Sequence, residues 1–532
     1  MPKTLPPRKI LPTPRPIIAD AYTVCGINNE SPESIEKSVY YMTARRFPHD
    51  KHPFLFPDKN DNRIVFAGLQ RILERLLRNP VTHDELDEAS GFFLNRKATT
   101  RGLADFDWNE GLWRRVVDEF EGYPPILITA MPEGSVVYPH EQIIRVSSVA
   151  DDFGMLAAQF ESSLMHIWAP TCRLTAVRHW YAYYYKLFSG LHPDWDHDKV
   201  SFSASLMMHD FGARASVNNQ ENEDVGYVGL YCFGGTDTFE ASYQAYKNGA
   251  PLGTGVSVNA LAHRNVQAWQ IENQCYNNMY DMAEDGDIIS QVGDCYDYDR
   301  AVESMLMPLA KRSTTEGRDI IIVARPDSGN ALEQMLWTLN LAVANGLYTK
   351  DESTNLISMT TLKVIEGDSM TWESMRKINK VLIREGFDPA GCWIFGVGGG
   401  QRNGNTRDDY SLKYALCSVG NSNRPVIKLS EVEGKKTRPD AKVIRTPEAI
   451  ESGVTVVAPH ETDDDAHVVY FDGSHLTHPF GPGFDDNFET IQNRVLNDFD
   501  KMPLNAGFAS DALNKVSDTL ADHYRKEGIL SS

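Results

Sequence analysis

A chain of 532 residues is long enough for two to four domains and a large core. With 42% hydrophobic, 10% aromatic and 23% charged residues it has an ordinary globular composition, which excludes fibrous, low-complexity and largely disordered classes. Lys and Arg total 52 against 73 Asp and Glu, a formal net charge of −21, so neither nucleic acid nor an anionic membrane is an expected partner.

The N-terminal MPKTLPPRKILPTPRPIIADAY is punctuated by six prolines and lacks the apolar stretch of a signal peptide, so it reads as an extended arm. No apolar run approaches the ~18 residues that would span a bilayer. The seven cysteines (25, 172, 232, 275, 295, 392, 417) form no C-x-x-C pair. That usage fits a reducing compartment, so a cytoplasmic location is expected and zinc or disulfide frameworks are not. Residues 61–80 read as helical, and 124–150 hold the strand-like runs ILITAMPEGSVVY and QIIRVSSVA.

From about 200 to 400, short apolar runs end in marked residues: LMMHDFGAR (Phe211), VGLYCFGGTDT (Asp237), GVSVNALAH (His263), DIISQVGDCYD (Asp297), DIIIVARPDSGN (Asp327), LKVIEGDS (Asp368) and CWIFGVGGG (Gly399). They recur roughly 30 residues apart, the length of a βα unit, which points to a (β/α) barrel or an incomplete one. A doubly wound open sheet is the alternative. Either fold gathers the marked residues at the C-terminal ends of strands, where such proteins build their sites. After 410, VIKLSEV, VTVVAPH and AHVVYFDGSH read as strands and NFETIQNRVLNDFDKM as a helix. The expected division is an α+β domain formed by 1–180 with 410–532, and a βα-barrel domain over 181–409, because neither end alone has strands for an independent sheet.

Several of these tips have chemistry to offer. Arg325 is a rigid fork for phosphate or carboxylate, and Asp327, two residues on, projects to the same side and accepts from hydroxyls; an Arg–Asp brace within a loop is the structural alternative. The glycines of GVGGG let backbone N–H groups approach a phosphate, although a tight turn has the same signature. Gly367 and Asp368 repeat the arrangement, and Asp237 does so at another strand end, where a helix N-cap is the plainer reading. His263 and Asp297, on consecutive units, suit a histidine oriented by a carboxylate. Phe211, Tyr22 and Arg214 offer flat faces and a cation. The basic segment EGKKTRPDAKVIR (433–445) is either a solvated loop or a polyanion clamp.

Taken together and in this order, HDFGAR, FGGTDT, SVNALAH, RPDSGN, EGDS and FGVGGG resemble the nicotinamide phosphoribosyltransferase family, with further likeness at DAYTV (20–24), PEGSVV (132–137) and RTPEA (445–449). The resemblance implies the type II phosphoribosyltransferase fold, α/β, an irregular βα barrel with a second α+β domain built from both termini. It implies a pentosyltransferase of NAD salvage that joins nicotinamide to phosphoribosyl pyrophosphate, giving nicotinamide mononucleotide and pyrophosphate. By motif, Phe211 and Tyr22 of a second subunit sandwich the pyridine ring, and Asp237 accepts from the carboxamide. Arg214, His263 and Arg325, with Arg45, hold pyrophosphate; Asp327, Gly367 and Asp368 hold ribose; Gly398, Gly399 and Arg407 hold the 5′-phosphate, with Lys435 and Lys436 adding charge. It further implies Mg²⁺ bound through phosphates, ATP phosphorylating His263 with Asp297 orienting it, and a homodimer with shared sites.

Two positions depart from the nicotinamide pattern: Ala262 stands where Glu usually precedes the histidine, as in the nicotinate branch, and Gly293 stands where Ser is usual. Asp237 nevertheless favours nicotinamide, because a carboxylate attracts an amide and repels a second carboxylate. Nicotinate phosphoribosyltransferase and a catalytically silent interaction protein are the alternatives. A sugar-phosphate aldolase or isomerase barrel would need a strand-end lysine, and Lys363 precedes its strand's end.

Overall fold

The computed structural model describes residues 13–25, 30–97, 108–399, 405–430, 436–475 and 479–529. Most of the N-terminal arm, Gly400 and Lys435 therefore lie outside the described residues.

Each of the seven segments contributes a strand: Met208–Asp210, Gly235–Thr236, Asn259–Ala260, Ile288–Val292, Ile321–Arg325, Leu362–Glu366 and Trp393–Val397. In two of them the apolar run itself is not the strand: VGLYCF closes helix Asn219–Gly229 and the turn after it, and in GVSV only Val256 pairs, so the strands are the two-residue pieces that follow. All the pairings between them are parallel. Parallel neighbours need crossover connections, and helices such as Asn219–Gly229, Phe239–Lys247, Glu272–Met282, Ala331–Ala344 and Trp372–Arg384 supply them. The longest unit also carries a hairpin, Tyr348–Lys350 with Ile357–Met359, which accounts for its greater spacing.

Around the sheet the strands follow chain order, and the last returns to the first through Phe395↔Met208, Gly396↔His209 and Val397↔Asp210. The remaining seam is fastened by one bridge, Gly235↔Val256. There Thr236 N donates to Val256 O (2.9 Å) and Val256 N donates to Gly234 O (2.9 Å). The sheet therefore curls until its two edges meet, and the open doubly wound alternative is excluded.

A second, antiparallel sheet has six strands in the order Arg424–Pro425, Lys413–Val419, Ser38–Thr43, Ile144–Ser148, Ile126–Ala130 and Val468–Asp472. Three come from before residue 150 and three from after 410, so each end of the chain completes what the other cannot close. Over its described residues, 426–430, the run VIKLSEV does not form the expected strand. Val426 N still donates to Cys417 O (2.9 Å), but Ile427–Ser430 carry no ladder, and the long strand of this region is Lys413–Val419.

Helix Trp168–Leu191 is buried around most of its circumference and ties the parts together. Thr171 and Thr175 accept from Ala67 N (3.2 Å) and Val65 N (3.0 Å) on one side, and Arg173 reaches Asp210 at the end of a barrel strand on the other. One continuous apolar cluster runs through both sheets and their helices.

Candidate active site at the barrel rim

The first rim segment is built around Asp210. Its Oδ1 accepts from Gly212 N (2.7 Å), and its carbonyl accepts from Asp237 N (3.0 Å) and from the Thr236 hydroxyl (3.3 Å). Phe211 N donates to Val397 O (2.8 Å), which swings the ring across the barrel mouth. The ring lies on two glycines: a Cβ on Gly396 would sit 2.1 Å from Phe211 Cε2, and one on Gly367 would sit 3.1 Å from it. Absent side chains at these positions make the aromatic floor. Gly399 abuts Ala215, next to Arg214, so the glycine turn meets the same segment. Asp237 is exposed and accepts from the Ser257 hydroxyl. Burial pushes the imidazole of His209, just below, down from its ordinary value, against the pull of the Asp237 charge.

On the next rim segments His263 Nε2 lies 2.9 Å from Asp294 Oδ1 and 3.8 Å from Asp327 Oδ2. Asp294 Oδ2 accepts from the Ser328 hydroxyl (2.6 Å). The expected His263–Asp297 pair is therefore corrected. Asp297 is the N-cap of helix Tyr298–Ala301 and accepts from Arg300 N (3.0 Å), so its carboxylate is committed to the helix end. Arg325 donates through Nη2 to Leu261 O (3.2 Å) and its Nε lies 3.9 Å from Asp327 Oδ1. Among the described residues that buried Nε has no hydrogen-bond partner, which leaves a donor at the rim.

Glu366 is buried at the end of its strand and accepts from Asp368 N (3.0 Å). Burial pushes its carboxyl up to about 7, the turn's N–H groups oppose the shift, and the charges of Asp327 and Asp368 reinforce it. Asp368 itself is exposed at the mouth.

Asp210, Ser257, Asp294, Ser328 and Glu366 were not singled out from the sequence. A signal for one of them was present. Asp294, Asp327 and Asp368 each stand two residues beyond the last strand residue (Val292, Arg325, Glu366), with Gly or Pro between.

The two departures from the family pattern also have local partners. A Cβ at Gly293 would lie 3.1 Å from Tyr298 Cδ2, so the ring of Tyr298 takes the space of a serine. Ala262 is the N-cap of helix His263–Trp269, and its N–H donates to Asn265 Oδ1 (3.0 Å).

Tyr22, Arg45 and Arg407 fall in a different group. Arg407 lines a cavity of about 540 Å³ with Asp20, Glu161 and His166. Glu161 is within electrostatic reach of Arg407 and Lys413, and its charge, then burial, pushes the exposed Tyr22 phenol up. Arg45 donates to the Ser411 hydroxyl (2.9 Å) and carbonyl (3.2 Å). Among the described residues, no hydrogen bond or ion pair joins Tyr22, Arg45 or Arg407 to Phe211, Arg325 or Asp368 within the protomer.

In the basic segment, Arg445 is tied to the buried Glu141 (2.7 and 2.8 Å) and Lys442 to Thr462 O (2.6 Å), so these two serve packing rather than a clamp. Lys436 is described, and Lys435 is not. Cys172, Cys232, Cys275, Cys295, Cys392 and Cys417 are free thiols, and no described helix is long and apolar enough to cross a membrane.

A curled parallel sheet whose rim carries an arginine, a carboxylate-held histidine and an aromatic floor defines an α/β-barrel enzyme architecture. Residues 206–451 match the nicotinate phosphoribosyltransferase (NAPRTase) family, and residues 16–128 match the N-terminal domain of nicotinamide phosphoribosyltransferase. The chain belongs to the nicotinate and nicotinamide phosphoribosyltransferase family.

It is 28% identical over 396 residues to the nicotinamide phosphoribosyltransferase of Xanthomonas campestris pv. campestris, covering 73% of this chain and 77% of that one. It is 26% identical over 491 residues to the enzyme of the same name from Acinetobacter baylyi, covering 83% and 90%. The fold is similar to that of nicotinate-nucleotide pyrophosphorylase from Pyrococcus furiosus (TM-score 0.56, 14% identity, 94% of this chain and 99% of that one). It is also similar to human nicotinic acid phosphoribosyltransferase (TM-score 0.54, 13% identity, 94% and 99%).

Proposed function

We propose that the rim transfers a phosphoribosyl group from phosphoribosyl pyrophosphate to nicotinamide, forming nicotinamide mononucleotide and releasing pyrophosphate in NAD salvage. The observation that carries this reading is the pairing of the Phe211 floor with the Asp237 carboxylate, joined through Asp210, on the same rim as the unused donor of Arg325. The names of the two bacterial relatives support the same choice of base.

In the transfer, the bond from ribose C1 to pyrophosphate breaks as the ring nitrogen bonds to C1, and positive charge develops on the ribosyl ring. No protein nucleophile is required; the work is positioning and charge placement. Arg214, His263 and Arg325 hold pyrophosphate, and Asp327, Gly367 and Asp368 hold ribose. Gly398 and Gly399 receive the 5′-phosphate. Asp237 accepts from the carboxamide and repels a nicotinate carboxylate.

Among the described residues no three His, Cys, Asp or Glu side chains are grouped to cage a metal. Mg²⁺ takes one or two carboxylates together with substrate phosphates, and Asp327 and Asp368 at the mouth fit that donor set; bound there it would neutralise charge on the leaving pyrophosphate.

His263 is the phosphoryl acceptor from ATP in this reading, with ADP leaving. Asp294 engages Nε2, which leaves Nδ1 as the nucleophile. The group holding Tyr22, Arg45 and Arg407 acts on the rim of a second copy, as a homodimer with shared sites. Exposed Phe239 and Tyr246, on the helix Phe239–Lys247 that follows Asp237, and exposed Leu252 beyond it support a protein surface packing on this side.

The test is a steady-state assay for mononucleotide with each base, with and without ATP. Nicotinamide is the expected substrate, and Asp237→Ser reduces its advantage over nicotinate by at least tenfold. Preference of the unmodified enzyme for nicotinate would overturn the assignment.

A further inference from the structure

We propose that Asp210 is a positioning residue that fixes the two base-binding side chains, Phe211 and Asp237, in one mutual geometry. The proposal rests on reading the rim as a pyridine-base site. One residue controls both because it lies at the junction of two neighbouring strand ends, in register with Thr236 on one side and Val397 on the other. Its Oδ1 closes the turn after Phe211 by accepting from Gly212 N (2.7 Å). Its carbonyl accepts from Asp237 N (3.0 Å) and from the Thr236 hydroxyl (3.3 Å), which in turn accepts from Thr238 N (3.0 Å).

Behind it, Arg173 of the long helix brings Nη2 to 3.5 Å from Asp210 Oδ2, with both side chains almost fully buried. A buried ion pair is a poor stabiliser compared with apolar packing of the same volume, and the use best attested for one is to fix a single arrangement. Here the arrangement fixed is the distance from the aromatic floor to the carboxylate that reads the 3-substituent. Asp210 touches no substrate; it acts through its two neighbours.

The experiment uses the full-length enzyme and measures KM for nicotinamide, KM for phosphoribosyl pyrophosphate and the ratio of kcat/KM for nicotinamide over nicotinate. Asp210→Ala deletes the acceptor for Gly212 N. It is expected to raise KM for nicotinamide at least fivefold and to lower the base ratio, with KM for the donor changed less than about twofold. Asp210→Asn keeps that acceptor but loses the charge facing Arg173, and its base ratio is expected to fall between those of Asp210→Ala and the unmodified enzyme.

Thr236→Val retains the buried ion pair and removes only the hydroxyl between the two strand ends. It is expected to lower the base ratio about threefold with the donor KM unaffected. Parallel increases in both KM values, or an unchanged base ratio in Asp210→Ala, would overturn the proposal. If Asp210→Ala does not fold, Thr236→Val decides alone, and an unchanged base ratio overturns it. An unmodified enzyme inactive with both bases fails the functional reading and this proposal with it, whereas an active one with unaltered selectivity in both variants fails this proposal alone.

Discussion

His263 and Asp294 face each other across neighbouring strand ends, Nε2 to Oδ1 at 2.9 Å, while the other oxygen of Asp294 is occupied by the Ser328 hydroxyl. The carboxylate is thus fixed at both ends, and the imidazole has one nitrogen engaged and one available.

Under the proposed phosphorylation of His263 by ATP, that arrangement makes the phosphoryl transfer sensitive to the charge of Asp294. In Asp294→Asn the amide can donate to Nε2, which favours the tautomer that carries its proton on Nδ1 and removes the nucleophile. Acid-labile phosphate on His263 after incubation with labelled ATP is expected to fall at least tenfold, and ATP stimulation of the rate to fall with it. Unchanged labelling would exclude Asp294 as the orienting carboxylate.

Gly396→Ala places a methyl in the space of the Phe211 ring, at 2.1 Å from Cε2 before relaxation. The ring must tilt, so KM for the base is expected to rise about tenfold, and overpacking costs roughly 1–3 kcal/mol of stability. Base titrations and urea midpoints measure the two effects separately.

If Tyr22 and Arg407 serve the neighbouring rim, Tyr22→Ala and Arg325→Ala chains complement each other. Random mixing of the two inactive homodimers after dissociation and reassociation yields heterodimers with one intact site, so about a quarter of the sites recover. Mixed samples as inactive as their parents would show that each chain works alone.

Glu366 ties stability to pH with a definite sign. Its carboxyl is raised to about 7 from an ordinary value of 4.5, so between these limits the folded chain holds a proton that the unfolded chain has lost. Its contribution therefore falls as pH rises across that window, by up to about 3 kcal/mol, and the penalty is fully present above 7. Glu366→Gln removes the titration while keeping an acceptor for Asp368 N. The stability of this variant relative to the unmodified chain is expected to be greater at pH 8 than at pH 5, as read from urea unfolding at each pH.

The barrel was legible because five of its strands are short apolar runs ended by a polar or glycine turn; at Gly235–Thr236 and Asn259–Ala260 the turn chemistry marked the right place while the apolar runs before them, VGLYCF and GVSV, are not strands. The closing bridge at Val256 was not legible, because a single pairing leaves no pattern. At the rim, Phe211, Asp237, His263, Arg325, Asp327 and Asp368 announced themselves as charges or rings just past apolar runs. Asp294 and Asp297 are both acidic and three residues apart, so periodicity could not say which faces inward; the two-residue offset shared with Asp327 and Asp368 does. Asp210 and Glu366 were hidden as the buried last residues of their strands, where a carboxylate is expected only if something buried answers it. VIKLSEV misled because its alternation is that of a strand, while the run KYALCSV before it, of the same length, took the place in the sheet.

The isolated bridge between Gly235 and Val256 sits two residues from Asp237, so the stave proposed to read the incoming ring is also the one whose backbone pairing is shortest. Local opening of a closed sheet is easiest at its least-bonded joint. On the proposed reading of the rim, tolerance toward altered substituents on the heterocycle depends on that joint, and a sulfur staple across it would trade breadth of acceptance for rigidity.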